Sequence, residues 1–424
     1  MTRADFLIDD ADLVATCAGA APRAGAAQGD IGALAHASVA AWQGRIVAVG
    51  PVAEVSRAIT LEPGATVLDG RGRLVVPGFV DSHTHAVFAG DRRAELTRRL
   101  GGATYAEIAA AGGGIVQTVA ATRAASEDEL VAAALPRLAE ALAQGTTTCE
   151  IKSGYGLTTT SELRMLRAIG RLDGAQPIDV SATFMGAHDV PVEYRGRRED
   201  YVRLVIDEML PAVAAARLAE WNDVFCEHGV FTPEESRRIL EAGLALGLRP
   251  RIHADELGAS GGALTAAAVG AVSADHLIHV DEAGADAMAR AGVIATLLPA
   301  AAFYLKLGCY APARMLIARG VPVALATDLN PGGGFTPSLP FVMALAAFGM
   351  GLTLEEALVA ATINGAAALG RQDCVGSLEP GKQMDAVVIA GTLADLVRVG
   401  APVVAAVVKR GAVVHGPLAT RRHA

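Results

Sequence analysis

Two histidines one residue apart, His83 and His85, close the stretch Val80-Asp81-Ser82-His83-Thr84-His85, directly after the apolar run Leu74-Val75-Val76-Pro77-Gly78-Phe79. On an extended strand alternate side chains share a face, so both imidazoles point one way and Thr84 the other. Two rings so placed can grip one metal ion. An isolated His-x-His is ordinarily a pair of surface residues, so the metal reading needs further ligands downstream. His253 and Asp328 supply them. Three imidazoles and one carboxylate suit Zn²⁺ or Fe²⁺ and leave room for water. A cation held this way lowers the pKa of water toward neutrality and makes hydroxide available for attack on a carbonyl or amidine-like carbon. That chemistry calls for a base. His276 is the first candidate, because a neutral imidazole titrates near working pH. Asp328 can share the role, and Glu256, close after His253, can hold or protonate a ring nitrogen.

These residues lie far apart in the chain and must be gathered by its fold. Short β-rich runs alternate with long Ala/Leu/Glu/Arg segments of helical period, the pattern of repeated βα units. Eight runs can be placed, at 75–85, 146–152, 178–184, 223–227, 248–254, 271–276, 293–298 and 321–328. Ser126-Glu-Asp-Glu129 and Thr232-Pro-Glu-Glu235 resemble helix N-caps with an acid three residues on. The predicted architecture is an α/β fold, a (β/α)8 TIM-type barrel, whose reactive residues collect where the strands end. The run ends carry His83 and His85, Lys152, His188, Glu227, His253, His276 and Asp328. Lys152 reads as a structural, ion-pairing lysine. The other histidines, His36, His228, His279, His415 and His423, read as surface or structural.

Both ends of the chain have a different texture. Residues 5–17 predict a strand or hairpin, and the Ala/Gly-rich stretch 18–37 a mobile loop. Short β-type runs punctuated by Gly and Pro follow at 39–42, 45–49 and 66–68 and return at 386–389, 403–408 and 413–414. The two ends are expected to form one composite β-sandwich domain, residues 1–76 with 375–424, flanking a barrel domain of residues 77–374.

Composition limits the function classes. Hydrophobic residues make up 52% of the 424 and mean hydropathy is +0.37, but alanine inflates both. The longest apolar run, 293–305, contains Pro299 and is too short to span a bilayer of about 30 Å. The N-terminus carries acids where a signal peptide needs an apolar region. The expectation is a cytoplasmic protein without membrane partners. Net charge is −9, and no basic stripe with interleaved aromatics offers a phosphate backbone a local exception, so nucleic acid is not expected as a partner. The cluster Arg195-Gly-Arg197-Arg198 reads as a solvated loop. The five scattered cysteines provide no disulfide framework and no thiolate zinc site.

The apolar strand ending in Asp-Ser-His-Thr-His resembles the metal-binding first strand of the amidohydrolase superfamily. His253-Ala-Asp-Glu256, Ser273-Ala-Asp-His276-Leu277, Glu150-Ile-Lys-Ser-Gly-Tyr155-Gly-Leu157, Phe184-Met-Gly-Ala-His188 and Ala326-Thr-Asp328-Leu-Asn330-Pro-Gly332 narrow the likeness. As an ordered set spanning nearly the whole chain they resemble the imidazolonepropionase family. The resemblance implies hydrolysis of the cyclic amide of 4-imidazolone-5-propanoate to N-formimidoyl-L-glutamate in histidine degradation, by a homodimer with one divalent metal per subunit. It implies His83, His85, His253 and Asp328 as metal ligands, with Arg92 clamping the propanoate through a bidentate contact. Tyr105, Tyr155, His188, Glu256, Asn330 and Gly332 would line the substrate pocket. Two-metal relatives place a carboxylated lysine after the fourth strand, where this chain has Cys226-Glu227. Family members commonly have Ser or Thr directly after the glycine of Asn-Pro-Gly, whereas this chain has Gly333, whose backbone N–H is left to serve the ligand. Two alternatives remain at this stage. One is a mononuclear aminohydrolase acting on a cytosine- or guanine-like ring, which needs no Arg92; the other is a non-catalytic scaffold on the same barrel.

Overall fold

The computed structural model describes residues 1–103, 107, 113–416 and 420–423. Eight parallel strands form one sheet in chain order: Phe79–Asp81, Thr146–Lys152, Asp179–Ala187, Trp221–Cys226, Arg249–Ala254, Ser273–His276, Ile294–Leu297 and Val323–Leu325. The sheet curls into a nearly closed barrel. Its first and last strands meet just beyond their ends, where Thr84 bridges Leu329 in parallel and the His85 amide donates to the Leu329 carbonyl at 2.9 Å.

Period-two alternation separates the two faces of each strand. Along the second strand Cys149 and Ile151 join the apolar core shared with Leu138 and Ile169 of the surrounding helices. Glu150 and Lys152 face the barrel interior, where Lys152 reaches Asp223 on the fourth strand. The helices Glu127–Ala143 and Pro233–Ala245 both begin with reciprocal capping boxes, Ser126 with Glu129 and Thr232 with Glu235.

The two chain ends build one mixed sheet around the long strand Thr2–Ala15. This strand pairs antiparallel with Ala33–Trp42 and parallel with Ile59–Asp69 and Arg73–Pro77. Ala386–Ala390 then continues the sheet from Arg73–Pro77. Backbone bonds between Ile46 and the 381–382 segment curl it, so that Phe6, Ile8, Val39, Ile46, Val75, Met384, Val388 and Val408 share a buried core. Lys409 ties this sheet to the underside of the barrel, its ammonium 2.9 Å from the Thr147 carbonyl and 2.7 Å from Asp179.

Two expectations change. The run 75–85 is not one strand: Arg73–Pro77 belongs to the end sheet, and only Phe79–Asp81 enters the barrel. The apolar pattern runs unbroken through both because each is buried. The crossing is made at Gly78, where a Cβ would lie 2.2 Å from Thr147 Oγ1. His83 and His85 therefore stand past the strand rather than on it. The stretch 18–37 is also not a loop throughout. It contains a short helix, Gly25–Gly29, whose Gln28 is fully buried, and the start of the strand Ala33–Trp42.

Candidate metal centre and active site

His83 and His85 reach the barrel mouth from the segment after the first strand, His253 from the fifth strand, and Asp328 from beyond the eighth. One ligating atom from each of His83, His85 and His253 lies within 4.8 Å of the others, and all three residues are buried. Asp328 Oδ1 stands 3.5 Å from His83 Nε2 and 3.8 Å from His85 Nε2. His253 Nε2 is 3.4 Å from His85 Nε2. The three imidazoles thus converge on one point, and Asp328 stands beside the rings of His83 and His85. Asp328 holds this position with a left-handed backbone, φ 51°, a strain typical of functional sites.

The donor set fits a divalent metal. His83 Nδ1 lies 2.7 Å from Asp275 Oδ2, and His253 Nδ1 lies 3.0 Å from Asp223 Oδ1. Each carboxylate accepts a hydrogen bond from the Nδ1–H and so leaves the Nε2 lone pair facing the centre. His83 Nε2 is buried with no hydrogen-bond partner among the described residues, a costly state for a polar atom unless a cation takes its lone pair. Burial pushes the pKa values of His83 and His85 well below the usual imidazole value, which keeps both rings neutral and able to ligate. Burial likewise raises the Asp328 carboxyl to about 7, and a neighbouring cation would favour its ionised form.

A cavity of about 220 Å³ opens over this centre. His276, at φ 75°, and Glu256 stand at its floor, with His276 Nδ1 3.7 Å from Glu256 Oε1. Burial, then the proximity of Asp328, raises the Glu256 carboxyl to about 8. Arg92, Tyr155, His188, Asn330, Gly332 and Gly333 all line the wall. Tyr105 lies outside the described residues. Arg92 is buried and donates through Nε and Nη2 to Glu95 Oε2, at 3.0 and 2.8 Å. Its Nη1 packs against Gly332, where a Cβ would come within 2.2 Å. The Gly333 amide is already engaged, donating to Asn330 Oδ1 at 2.6 Å. Arg195 is part of the cavity wall rather than of a purely solvated loop, because the chain after the third strand folds over the barrel mouth.

The sequence pattern of the amidohydrolase family matches residues 74–414, from the strand before the barrel to the last strands of the end sheet. The chain belongs to the amidohydrolase family. Among its amidohydrolase relatives, imidazolonepropionase of Symbiobacterium thermophilum is 51% identical over 97% of this chain and 97% of its own length. Imidazolonepropionase of Geobacillus kaustophilus is 53% identical over 87% of each. A zinc-bound adenosine deaminase from Xanthomonas campestris shares the fold with a TM-score of 0.68 at 19% identity, covering 97% of this chain and 93% of that one.

Two residues of the amidohydrolase centre escaped the sequence reading: Asp223 and Asp275, the carboxylates behind His253 and His83. Both lie within apolar strands, in register with other inward polar residues. Arg251 precedes His253 by two positions, as Glu150 precedes Lys152 and Ser273 precedes Asp275. Polar residues at period two inside a buried strand mark the lining of a barrel, and that signal was present in the sequence.

Proposed function

We propose that this amidohydrolase opens the cyclic amide of 4-imidazolone-5-propanoate to give N-formimidoyl-L-glutamate, a step of histidine degradation. One cavity brings together three convergent imidazoles, Asp328 beside two of them, and a buried guanidinium in its wall, and that pairing carries the reading. The near-full-length likeness to imidazolonepropionases supports it. Cytosine and guanine carry no carboxylate for the Nη1 edge of Arg92.

In this reading His83, His85, His253 and Asp328 hold one Zn²⁺ or Fe²⁺ per subunit. When bound, the cation supplies hydroxide from water near neutral pH and polarises the ring carbonyl. Arg92 binds the propanoate through the Nη1 edge that Glu95 leaves open. Tyr155 and His188 flank the ring; their own ring centroids are 5.1 Å apart. His276 takes the proton of the attacking water. Glu256, which burial favours in its protonated form, delivers its proton to the departing ring nitrogen as the carbon–nitrogen bond breaks. His276, whose Nδ1 lies 3.7 Å from Glu256 Oε1, then returns the water proton to Glu256, so that overall water supplies the new carboxyl oxygen and the proton on nitrogen. Asn330, Gly332 and Gly333 shape the wall beside Asp328.

Among the described residues no helix is long and apolar enough to cross a membrane. A cytoplasmic homodimer completes the reading, and light scattering on the eluting protein tests the subunit count. The activity itself is tested by metal analysis of purified protein coupled to two assays: loss of imidazolone ultraviolet absorbance, and ammonia release from cytosine or guanine. Metal-loaded protein that deaminates a nucleobase and leaves imidazolone propanoate intact would overturn the proposal.

A further inference from the structure

Lys152 ligates nothing at the centre and is absent from the cavity wall, yet its ammonium joins the segments that carry three of the four ligands. Nζ donates at 2.7 Å to Glu150 Oε1 and at 2.7 Å to Asp223 Oδ2. On the Glu150 side, Oε2 accepts the backbone N–H of Thr84 at 3.1 Å, and the Glu150 carbonyl accepts the Thr84 hydroxyl at 2.6 Å. The Lys152 amide donates to the Thr84 carbonyl at 2.9 Å. Thr84 is the residue between His83 and His85, so that segment is fixed through its middle. On the Asp223 side, the second carboxylate oxygen holds His253 by Nδ1. Lys152, Glu150 and Asp223 have no accessible surface at all.

We propose that Lys152 is a positioning residue of the metal centre, a buried cation that sets the His83-Thr84-His85 segment and the His253 ring in mutual register through two carboxylates, and so strengthens metal binding. The inference rests on the metal centre described above. Two carboxylates without accessible surface are tolerable only when each is paired with opposite charge or hydrogen-bond donors. Removing the ammonium leaves Glu150 and Asp223 facing one another across the barrel, and Asp223 is then released from the position that anchors His253. No neighbour substitutes. Arg251, a second cation buried inside the barrel, is committed to Asp275 at 3.2 Å and to the carbonyls of Ser82 and Ala368, each at 2.8 Å.

The decisive comparison is Lys152→Met against Lys409→Met. Lys409 is a buried lysine between two carboxylates, 2.7 Å from Asp179 and 2.6 Å from Asp385, on the underside of the barrel. Zn²⁺ dissociation constants come from chelator competition, and the ring tautomer of His253 from nitrogen-15 shifts of metal-free protein. Lys152→Met is expected to bind Zn²⁺ about 10- to 100-fold more weakly, the usual range for losing an outer partner of a ligand, and to lose the Nδ1–H signature of His253. Lys409→Met is expected to lose thermal stability while keeping both properties. Unchanged Zn²⁺ affinity in Lys152→Met, or equal weakening in Lys409→Met, overturns the proposal. Should Lys152→Met fail to fold, Lys152→Gln takes its place, and affinity equal to the parent's is again the overturning result. A parent that takes up no divalent cation removes the metal centre itself. A parent that binds Zn²⁺ while Lys152→Met matches it removes only the role of Lys152.

Discussion

The main-chain amide of Asp328 donates to the carbonyl of His83 at 3.0 Å, so two of the proposed metal ligands are bonded to each other through the backbone at the seam where the barrel closes. The strands meeting there, Phe79–Asp81 and Val323–Leu325, share no ladder of their own. The seam relies on this bond, on the His85–Leu329 bond, and on Thr327, whose amide and hydroxyl donate to Asp81 at 2.9 and 2.6 Å. A cation held by ligands on both sides would staple it. Metal at about 1,000 times its dissociation constant should stabilise the fold by about 4 kcal/mol. Chelation should therefore lower the thermal midpoint and speed amide exchange first in residues 81–85 and 327–330. Acceleration spread evenly over all eight strands, or none, would contradict the staple.

The glycines beside Asp328 make opposite predictions. A Cβ on Gly332 would meet Arg92 Nη1 at 2.2 Å, so Gly332→Ala must push the guanidinium off Glu95 or out of the cavity. KM for imidazolone propanoate is expected to rise about tenfold or more, equivalent to about 1.4 kcal/mol of binding. On Gly333 the nearest atoms belong to the Leu305 side chain at 3.3 Å, which can give way. Gly333→Ser, supplying the hydroxyl that family members commonly carry there, should leave KM unchanged or lower it. Steady-state kinetics on the two variants check the order, and the reverse order would rule out the assigned wall geometry.

His276 has a left-handed backbone, which Asn tolerates better than most residues, so His276→Asn removes the imidazole without adding strain. If His276 is the base, kcat should fall about 10²- to 10⁴-fold while metal content and KM stay near parental values. Metal content is read by mass spectrometry on the same preparation. Near-parental turnover with metal bound would remove the base assignment. His83→Ala, by contrast, should lose both metal and activity.

Much of the architecture was legible because the second to seventh strands are short apolar runs between helices with clear caps, a pattern that depends only on neighbours along the chain. The ligands stood out because histidine and aspartate are rare at the ends of such runs. What was not legible depends on partners far away in sequence. Nothing local tells Val75 that it pairs with Val388 in the end sheet while Val80 pairs with Thr148 in the barrel. Gln28 is the clearest case, a polar residue in an Ala/Gly-rich stretch whose partners lie some 300 positions later.

Gln28 acts as a substitute strand partner for the eighth barrel strand. Its Nε2 donates to the Val323 carbonyl at 2.8 Å, and its Oε1 accepts the Val323 amide at 3.1 Å, with Asn364 Nδ2 also reaching Oε1 at 3.1 Å. Gln28→Ala leaves the buried Val323 amide without an acceptor, at a cost of about 1–3 kcal/mol. That should appear as a thermal midpoint lower by a few degrees. Because Val323 begins its strand and Asp328 lies beyond the other end, kcat/KM well below the midpoint should not change. Gln28→Glu adds a sign. A buried carboxyl has its folded-state pKa raised above the unfolded value of about 4.3, so the folded state favours the protonated form, which can still donate to the Val323 carbonyl. Stability should then be greatest below that unfolded value and be lost as pH rises through the folded-state pKa, with the gap from the parent wider at pH 8 than at pH 5. A Gln28→Ala protein melting within a degree of the parent would mean that residues 18–37 contribute nothing to the barrel edge they cover.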